Sequence, residues 1–143
     1  MILKKRFRGY ISSRPFSGER APQHIQNLVI RTYCEEFGYE FLLSATEVAM
    51  PDSCIVLNRL ISCGGESDGL VFYSLRQLPV SQEHRREFLN AILESGREVH
   101  FAVERMAIQS RADINRVDQI LCVEAILPYV ADVRGWYRAQ NDG

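Results

Sequence analysis

Polar residues suited to binding an anionic or hydroxyl-rich ligand follow two strand-like segments of this chain. Ser13 and Arg14 end the run GYISSR, Ser74 ends the run LVFYS, and Gln77 lies three residues further on. An arginine guanidinium makes paired hydrogen bonds to phosphate or carboxylate, and hydroxyl and amide groups bind hydroxyls. We therefore regard these four residues as candidate substrate-binding groups, with Arg14 as the anion contact.

Two amides open the helix that is predicted after the first segment. Gln23 and Asn27 lie one helical turn apart and share a face, and the amino end of a helix offers free N–H groups to an anion. Both amides are either ligand contacts or the solvated side of the helix. The other candidates also have ordinary structural alternatives: Arg14 can pair with a nearby glutamate, and Ser13 can stabilise a turn.

Four further residues have side chains that can transfer protons, and all lie within or just beyond predicted strands. These candidate catalytic residues are Glu47, Tyr73, His100 and Glu104. A core histidine held by hydrogen bonds is the alternative for His100, and a buried hydroxyl is the alternative for Tyr73. No Ser-His-Asp order and no phosphate-binding glycine loop can be read from the chain. No cysteine lies at a metal-ligand spacing with a histidine, so we predict no metal site, and no cofactor can be assigned.

Strand and helix patterns alternate along the chain and position these residues. Strands are predicted at 7–12, 40–44, 69–74 and 98–104, with a loop at 45–50. Helices are predicted from Pro22 to Gly38, from Pro51 to Gly64 and from Ser81 to Gly96, and the apolar face of the first comprises Ile25, Leu28, Val29 and Thr32. This order predicts an α/β fold with a mostly parallel four-stranded sheet flanked by helices. Ligands of such sheets bind beyond the carboxyl ends of the strands, where the candidates cluster.

The end of the chain has a different pattern. Apolar residues from Ile114 to Val133 recur at helical spacing and predict one long carboxyl-terminal helix. We therefore divide the chain into an α/β domain at 1–108 and a helix and tail at 109–143. The apolar surface of this helix predicts a homodimer, and the alternative is that the helix closes over its own sheet.

Composition excludes several classes of protein. The 143 residues are 46% hydrophobic with a net charge of −1, so no global charge attracts nucleic acid or anionic lipid. No apolar run reaches membrane-spanning length and no signal peptide opens the chain. We expect a cytoplasmic protein without nucleic-acid or membrane partners. Its four cysteines, at 34, 54, 63 and 122, are expected to be buried thiols.

Several long strings resemble an uncharacterised family, the sporadic carbohydrate cluster proteins. The matching strings are RGYISSRPFSGERAPQHIQNLVIRTYC, LLSATEVAM, DGLVFYSLRQLP and HFAVE, and the resemblance covers roughly residues 6–108. The candidates above fit the family pattern, as do Gly9, Tyr10, Gln26, Arg31 and Pro79. The family occurs in gene clusters for surface polysaccharide such as O-antigen. The resemblance thus implies a protein that binds or modifies a nucleotide-sugar or sugar-acid, or a non-catalytic dimeric accessory protein of that pathway.

A second resemblance is architectural. The order of GYISS, a polar loop and helix, VFYSLRQL and a long final helix resembles the resolvase (serine recombinase) catalytic domain. Its catalytic pattern is not kept, because Arg14 stands where that family has its nucleophilic serine and Ser12 stands where it has an arginine. The second catalytic motif would fall near Arg76 and Gln77, without its acid. The resemblance implies the fold and argues against recombination.

Overall fold

A computed structural model describes residues 4–12, 21–47 and 67–141, with residues 47 and 128–141 described by their backbone alone. The predicted helix that opens at Pro51 therefore lies outside the described residues. The same holds for the candidates Ser13 and Arg14, and for Cys54 and Cys63.

The described chain forms one five-stranded sheet with the order β2-β1-β3-β4-β5. The strands are β1 (Arg6–Ser12), β2 (Glu40–Glu47), β3 (Gly69–Phe72), β4 (Glu98–Phe101) and β5 (Met106–Ile108). The first four pair in parallel, and β5 pairs antiparallel with β4. The predicted mostly parallel α/β fold is confirmed, and β5 is a strand in addition to the four predicted. It is only three residues long, too short for an alternating pattern to identify.

The described residues include three helices that accompany the sheet: α1 (Gln23–Glu36), α2 (Gln82–Glu94) and α3 (Arg111–Asn141). The predicted helix signals are confirmed where they depend on local chemistry. The Ser81 hydroxyl accepts a hydrogen bond from the backbone N–H of His84 at the start of α2. Gly38 and Gly96 follow α1 and α2 with φ of 70° and 78°, a left-handed conformation that glycine adopts without steric penalty.

Three predicted strand ends are wrong. Strand β3 ends at Phe72, two residues earlier than predicted. Strand β2 continues to Glu47, so the segment expected to be a loop after Ser44 begins as strand. Strand β4 ends at Phe101, three residues earlier than predicted, and the chain turns there towards β5. Arg105 in this turn has a φ of 54° and pairs with Glu36 at the end of α1. The chain must turn here to pair antiparallel with β5. The sequence does not predict this turn, because residues 102–105 contain no glycine or proline.

Helix α1 buries a different face from the one predicted. Its buried residues are Gln26, Ile30, Tyr33 and Cys34. Ile25 and Leu28 are exposed, and Thr32 is exposed as well. The aromatic residues of β1 and β2 pack around Ile30 and Tyr33, and this packing outweighs the simple apolar spacing. The other core cluster contains α2 and the start of α3, through Phe88, Ile92 and Val117 among others.

Helix α3 changes character along its length. Ile114 and Val117 are buried against the sheet, whereas Val123, Ile126 and Leu127 are about half exposed.

Cys34 on α1 is buried, as expected, and burial raises the pKa of its thiol to about 11. Cys122 on α3 is exposed, which contradicts the expectation of four buried thiols. Among the described helices, none is both long and apolar enough to cross a membrane.

Candidate functional site

The carboxyl ends of β1 and β3 meet the amino end of α1, as the parallel topology requires. One side chain, Gln26, joins these elements and is wholly buried. Its Nε2 group donates to the carbonyl oxygens of Ser12 and Ala21, at 2.8 and 2.7 Å. Its Oε1 atom accepts from the N–H of Ser12 at 3.0 Å and from Nε2 of Gln77 at 2.8 Å. Both donors and both acceptor directions of the amide are therefore occupied.

Gln77 extends this network to the chain that follows β3. It ends the single 3-10 turn Leu75–Gln77, and its Oε1 accepts from the N–H groups of Tyr73 and Ser74. The Ser74 hydroxyl accepts from the N–H of Arg76, and Ser74 and Gln77 form a capping box, in which each side chain accepts from the backbone N–H of the other residue. Two of the predicted binding residues, Ser74 and Gln77, thus hold the backbone that follows β3 and are both buried.

Glu104 reaches the same place from the turn after β4. One carboxylate oxygen accepts from the Ser74 hydroxyl at 2.8 Å and the other from the N–H of Leu75 at 2.9 Å. The structure therefore brings three predicted residues together: Ser74, Gln77 and Glu104. In this arrangement Glu104 stabilises the 3-10 turn, because both of its oxygens accept hydrogen bonds from it. Tyr73, the residue before Ser74, is partly exposed at this edge.

The first turn of α1 has properties that favour an anion nearby. The helix follows Pro22, which offers no side-chain hydrogen bond to its first N–H groups, and it has no acidic residue in its first turn. Gln23 is exposed there. Asn27, one turn later, faces β2 instead: its Oδ1 accepts from the Ser44 hydroxyl at 2.6 Å. Glu47 lies opposite Ser12 in the β1–β2 register, which places its backbone beside the end of β1.

His100 belongs to a second polar network, at the other end of the sheet. Its ring packs against Phe7, Tyr33 and Tyr39. Its Nδ1 lies 2.7 Å from the Tyr33 hydroxyl and its Nε2 lies 2.8 Å from Glu98, the first residue of β4. Tyr33 is seven residues beyond Gln26, about 10 Å along the helix axis. His100 is therefore separate from the cluster at the carboxyl edge.

The protonation states of Glu98, His100 and Tyr33 determine which group donates each hydrogen bond of this second network. Burial alone would raise the pKa of Glu98, but hydrogen bonds from Lys5, His100 and Gln109 lower it, so the carboxylate is charged. Burial lowers the pKa of His100, only partly offset by Glu98, so the ring is neutral near pH 7. A charged carboxylate only accepts, so Nε2 of His100 donates to it and Nδ1 accepts from Tyr33. Burial also raises the Tyr33 pKa to about 12, which keeps this hydroxyl protonated.

A groove of about 830 Å³ lies between the 3-10 turn, the start of α2 and α3. Its walls include Leu78, Leu121 and Cys122. Asp118 is buried there and accepts hydrogen bonds from both Arg85 and Arg86. Burial alone would raise the pKa of Asp118, but the two guanidinium groups hold it below its usual value. Arg76 makes two hydrogen bonds to Glu124 at the groove margin.

Sequence reasoning missed Gln26 as a site residue and noted it only as a position in a family pattern. It lies off the predicted apolar face of α1, because that face was placed at Ile25, Leu28, Val29 and Thr32. One signal was available. Gln26, Ile30, Tyr33 and Cys34 repeat at helical spacing, but reading this face as buried requires a polar residue to be placed in the core. Nothing in the sequence indicates the pairing of Arg85 and Arg86 with Asp118.

Comparison with known proteins defines the fold. No protein-family model matches the sequence, and the curated proteins contain no significant match. Among solved structures, a resolvase family site-specific recombinase from Streptococcus pneumoniae is similar, with 11% identity and a TM-score of 0.61 over 94% of this chain and 99% of that one. The N-terminal catalytic domain of TP901-1 integrase is similar too, with 18% identity and a TM-score of 0.58 over 90% and 98% of the two chains. The predicted resolvase-like fold is confirmed.

Proposed function

We propose that this protein binds a nucleotide-sugar or sugar-acid at the carboxyl edge of β1 and β3, and acts in cytoplasmic biosynthesis of a surface polysaccharide of the O-antigen type. The observation that carries the binding proposal is the amino end of α1, which receives no side-chain cap from Pro22 and has no acidic residue in its first turn. Gln26 and Gln77 hold this helix end beside the ends of β1 and β3. Such a helix end favours negative charge. The pathway rests on the family resemblance of the sequence.

Arg14 is the proposed contact for phosphate or carboxylate, with Ser13 and Gln23 nearby in the chain. The hydrogen bonds of the described residues weigh against proton transfer by two of the four candidate catalytic residues. Glu104 accepts from the 3-10 turn, and His100 is buried in the second network. Tyr73 and Glu47 stay proposed for proton transfer, should the bound sugar be modified at this edge.

A thermal-shift series tests the proposal. We expect the melting temperature to rise with the concentration of UDP-glucuronate, which combines a diphosphate, sugar hydroxyls and a carboxylate. The rise should be lost in Arg14→Ala and kept in Lys4→Ala, a change at an exposed basic residue before β1. Related sugar nucleotides, sugar phosphates and sugar acids complete the screen. A flat response to all of them, with unchanged cellular polysaccharide in Arg14→Ala, would contradict the proposal.

A non-catalytic dimeric accessory protein is the second candidate, and α3 supports it. Val123, Ile126 and Leu127 are about half exposed on a helix of 31 residues. These three residues share one face of the helix, and an exposed apolar patch is typical of a protein–protein contact surface. We expect light scattering to give twice the monomer mass for the wild type and the monomer mass for Ile126→Asp. A monomeric wild type at micromolar concentration would exclude a homodimer through α3.

The similar structures are described as a recombinase and an integrase domain, so DNA is a third ligand to consider. Two features weigh against it. Arg14 stands where serine recombinases have their nucleophilic serine, and the net charge of the chain is −1, so no global charge attracts nucleic acid. A DNA affinity that falls steeply with salt concentration would revive this candidate.

A further inference from the structure

Gln26 is placed to act on the proposed site without touching a ligand. Its side chain is wholly buried, and its four hydrogen bonds go to three separate pieces of chain: the end of β1, Ala21 in the segment that enters α1, and the turn after β3. Ser12 and Ala21, whose carbonyl oxygens it binds, are nine positions apart in the sequence. The side-chain amide of Gln26 therefore holds the chain leaving β1 and the chain entering α1 together through hydrogen bonds.

We infer that Gln26 is the positioning residue of the carboxyl edge: it fixes the end of β1, the start of α1 and the turn after β3 relative to one another. For ligand affinity, the inference rests on the proposed function. The inference that Gln26 fixes the backbone does not depend on the proposed function. The effect on a ligand is indirect, because every polar atom of the amide is already bonded within the protein.

The chemistry of the site requires glutamine at this position. Two carbonyl oxygens must each receive a hydrogen, and two N–H groups must each be given an acceptor. A neutral amide supplies both kinds of group, whereas a carboxylate supplies only acceptors and would repel the carbonyl oxygens of Ser12 and Ala21. A leucine supplies neither and leaves buried polar groups unsatisfied.

Hydrogen exchange tests the backbone part with no ligand present. The Ser12 N–H donates to Gln26 and the Tyr73 N–H donates to Gln77, so each amide reports one arm of the network. In Gln26→Leu we expect Ser12 to exchange roughly tenfold faster, the effect of losing one or two hydrogen bonds. In Gln77→Leu we expect faster exchange at Tyr73 with Ser12 still protected. Leu28→Ala, a change at an exposed position of the same helix, should alter neither amide.

Two results would overturn the inference. Unchanged exchange at Ser12 in folded Gln26→Leu would show that the amide does not hold β1, and loss of protection throughout the sheet would show general instability instead of local positioning. The ligand arm uses UDP-glucuronate. We expect its Kd to rise about tenfold in Gln26→Leu, and unchanged affinity would remove the link to the site. If the wild type binds no UDP-glucuronate, that result counts against the proposed function, and the exchange data alone decide whether Gln26 positions the backbone.

Discussion

Two polar networks border α1, and they are built from different chemistry. The amino-side network lies towards the amino ends of the strands and joins four titratable residues within a shell of aromatic rings: Lys5, Glu98, His100 and Tyr33. The network at the carboxyl edge is centred on the amide of Gln26, which does not titrate and binds mainly backbone atoms. The first stabilises packing between elements and responds to pH. The second sets backbone positions where ligands of parallel sheets bind.

The largest expected effect removes the centre of the amino-side network. In His100→Ala the ring contacts with Phe7 and Tyr39 disappear, and the Tyr33 hydroxyl loses its buried partner. We expect the free energy of unfolding, measured with urea, to fall by about 3–4 kcal/mol. His84→Ala, at an exposed position on α2, should change it by less than about 0.5 kcal/mol. Similar losses in both variants would show that the network contributes nothing specific.

A smaller loss is expected at the carboxyl edge. Glu104→Ala removes the acceptor for the Ser74 hydroxyl and for the N–H of Leu75. Because hydrogen bonds to a charged group are involved, we expect a loss of about 2 kcal/mol. Glu94→Ala, at an exposed glutamate on α2, is the matched control and should be near neutral. If Glu104→Ala were equally neutral, the 3-10 turn would not depend on this carboxylate.

The two networks should differ in their response to pH. The folded-state pKa of His100 is lowered, chiefly by burial, so the unfolded chain binds a proton more readily below about pH 6.5. Protonation therefore favours unfolding, and stability should fall by up to about 1 kcal/mol between pH 7.5 and 5.5. Urea unfolding across this range should show a smaller fall in His100→Gln. An equal fall in both proteins would assign the effect to other groups.

The smallest expected effect concerns the link between α1 and β2. The Ser44 hydroxyl donates to Asn27 at a partly buried position. We expect Ser44→Ala to lower the free energy of unfolding by about 0.5–1 kcal/mol. A double-mutant cycle with Asn27→Ala isolates the pair, and its coupling energy should account for most of that loss. A coupling energy of zero would show that the hydrogen bond does not contribute, leaving Asn27 available to a ligand.

Local signals in the sequence predict the order of elements and several of their ends. The Ser81 cap and the glycines after α1 and α2 act within a few residues of the chain, so their effect can be read directly. The run LVFYS likewise predicts a strand buried on both faces, and the residues of β3 are all buried. The positions of Ser74, Gln77 and Glu104 at one edge follow from the parallel topology.

The sequence by itself determined the α/β order, the helix ends and the edge of the sheet at which its polar residues gather. Only the tertiary structure decided which face of α1 is buried, and hence that Gln26 joins three pieces of chain while His100 faces Tyr33 and Glu98. The physical reason is the distance along the sequence between the groups that interact. Caps and turns act between neighbours in the chain, whereas a buried amide or imidazole is satisfied by partners up to 67 positions away.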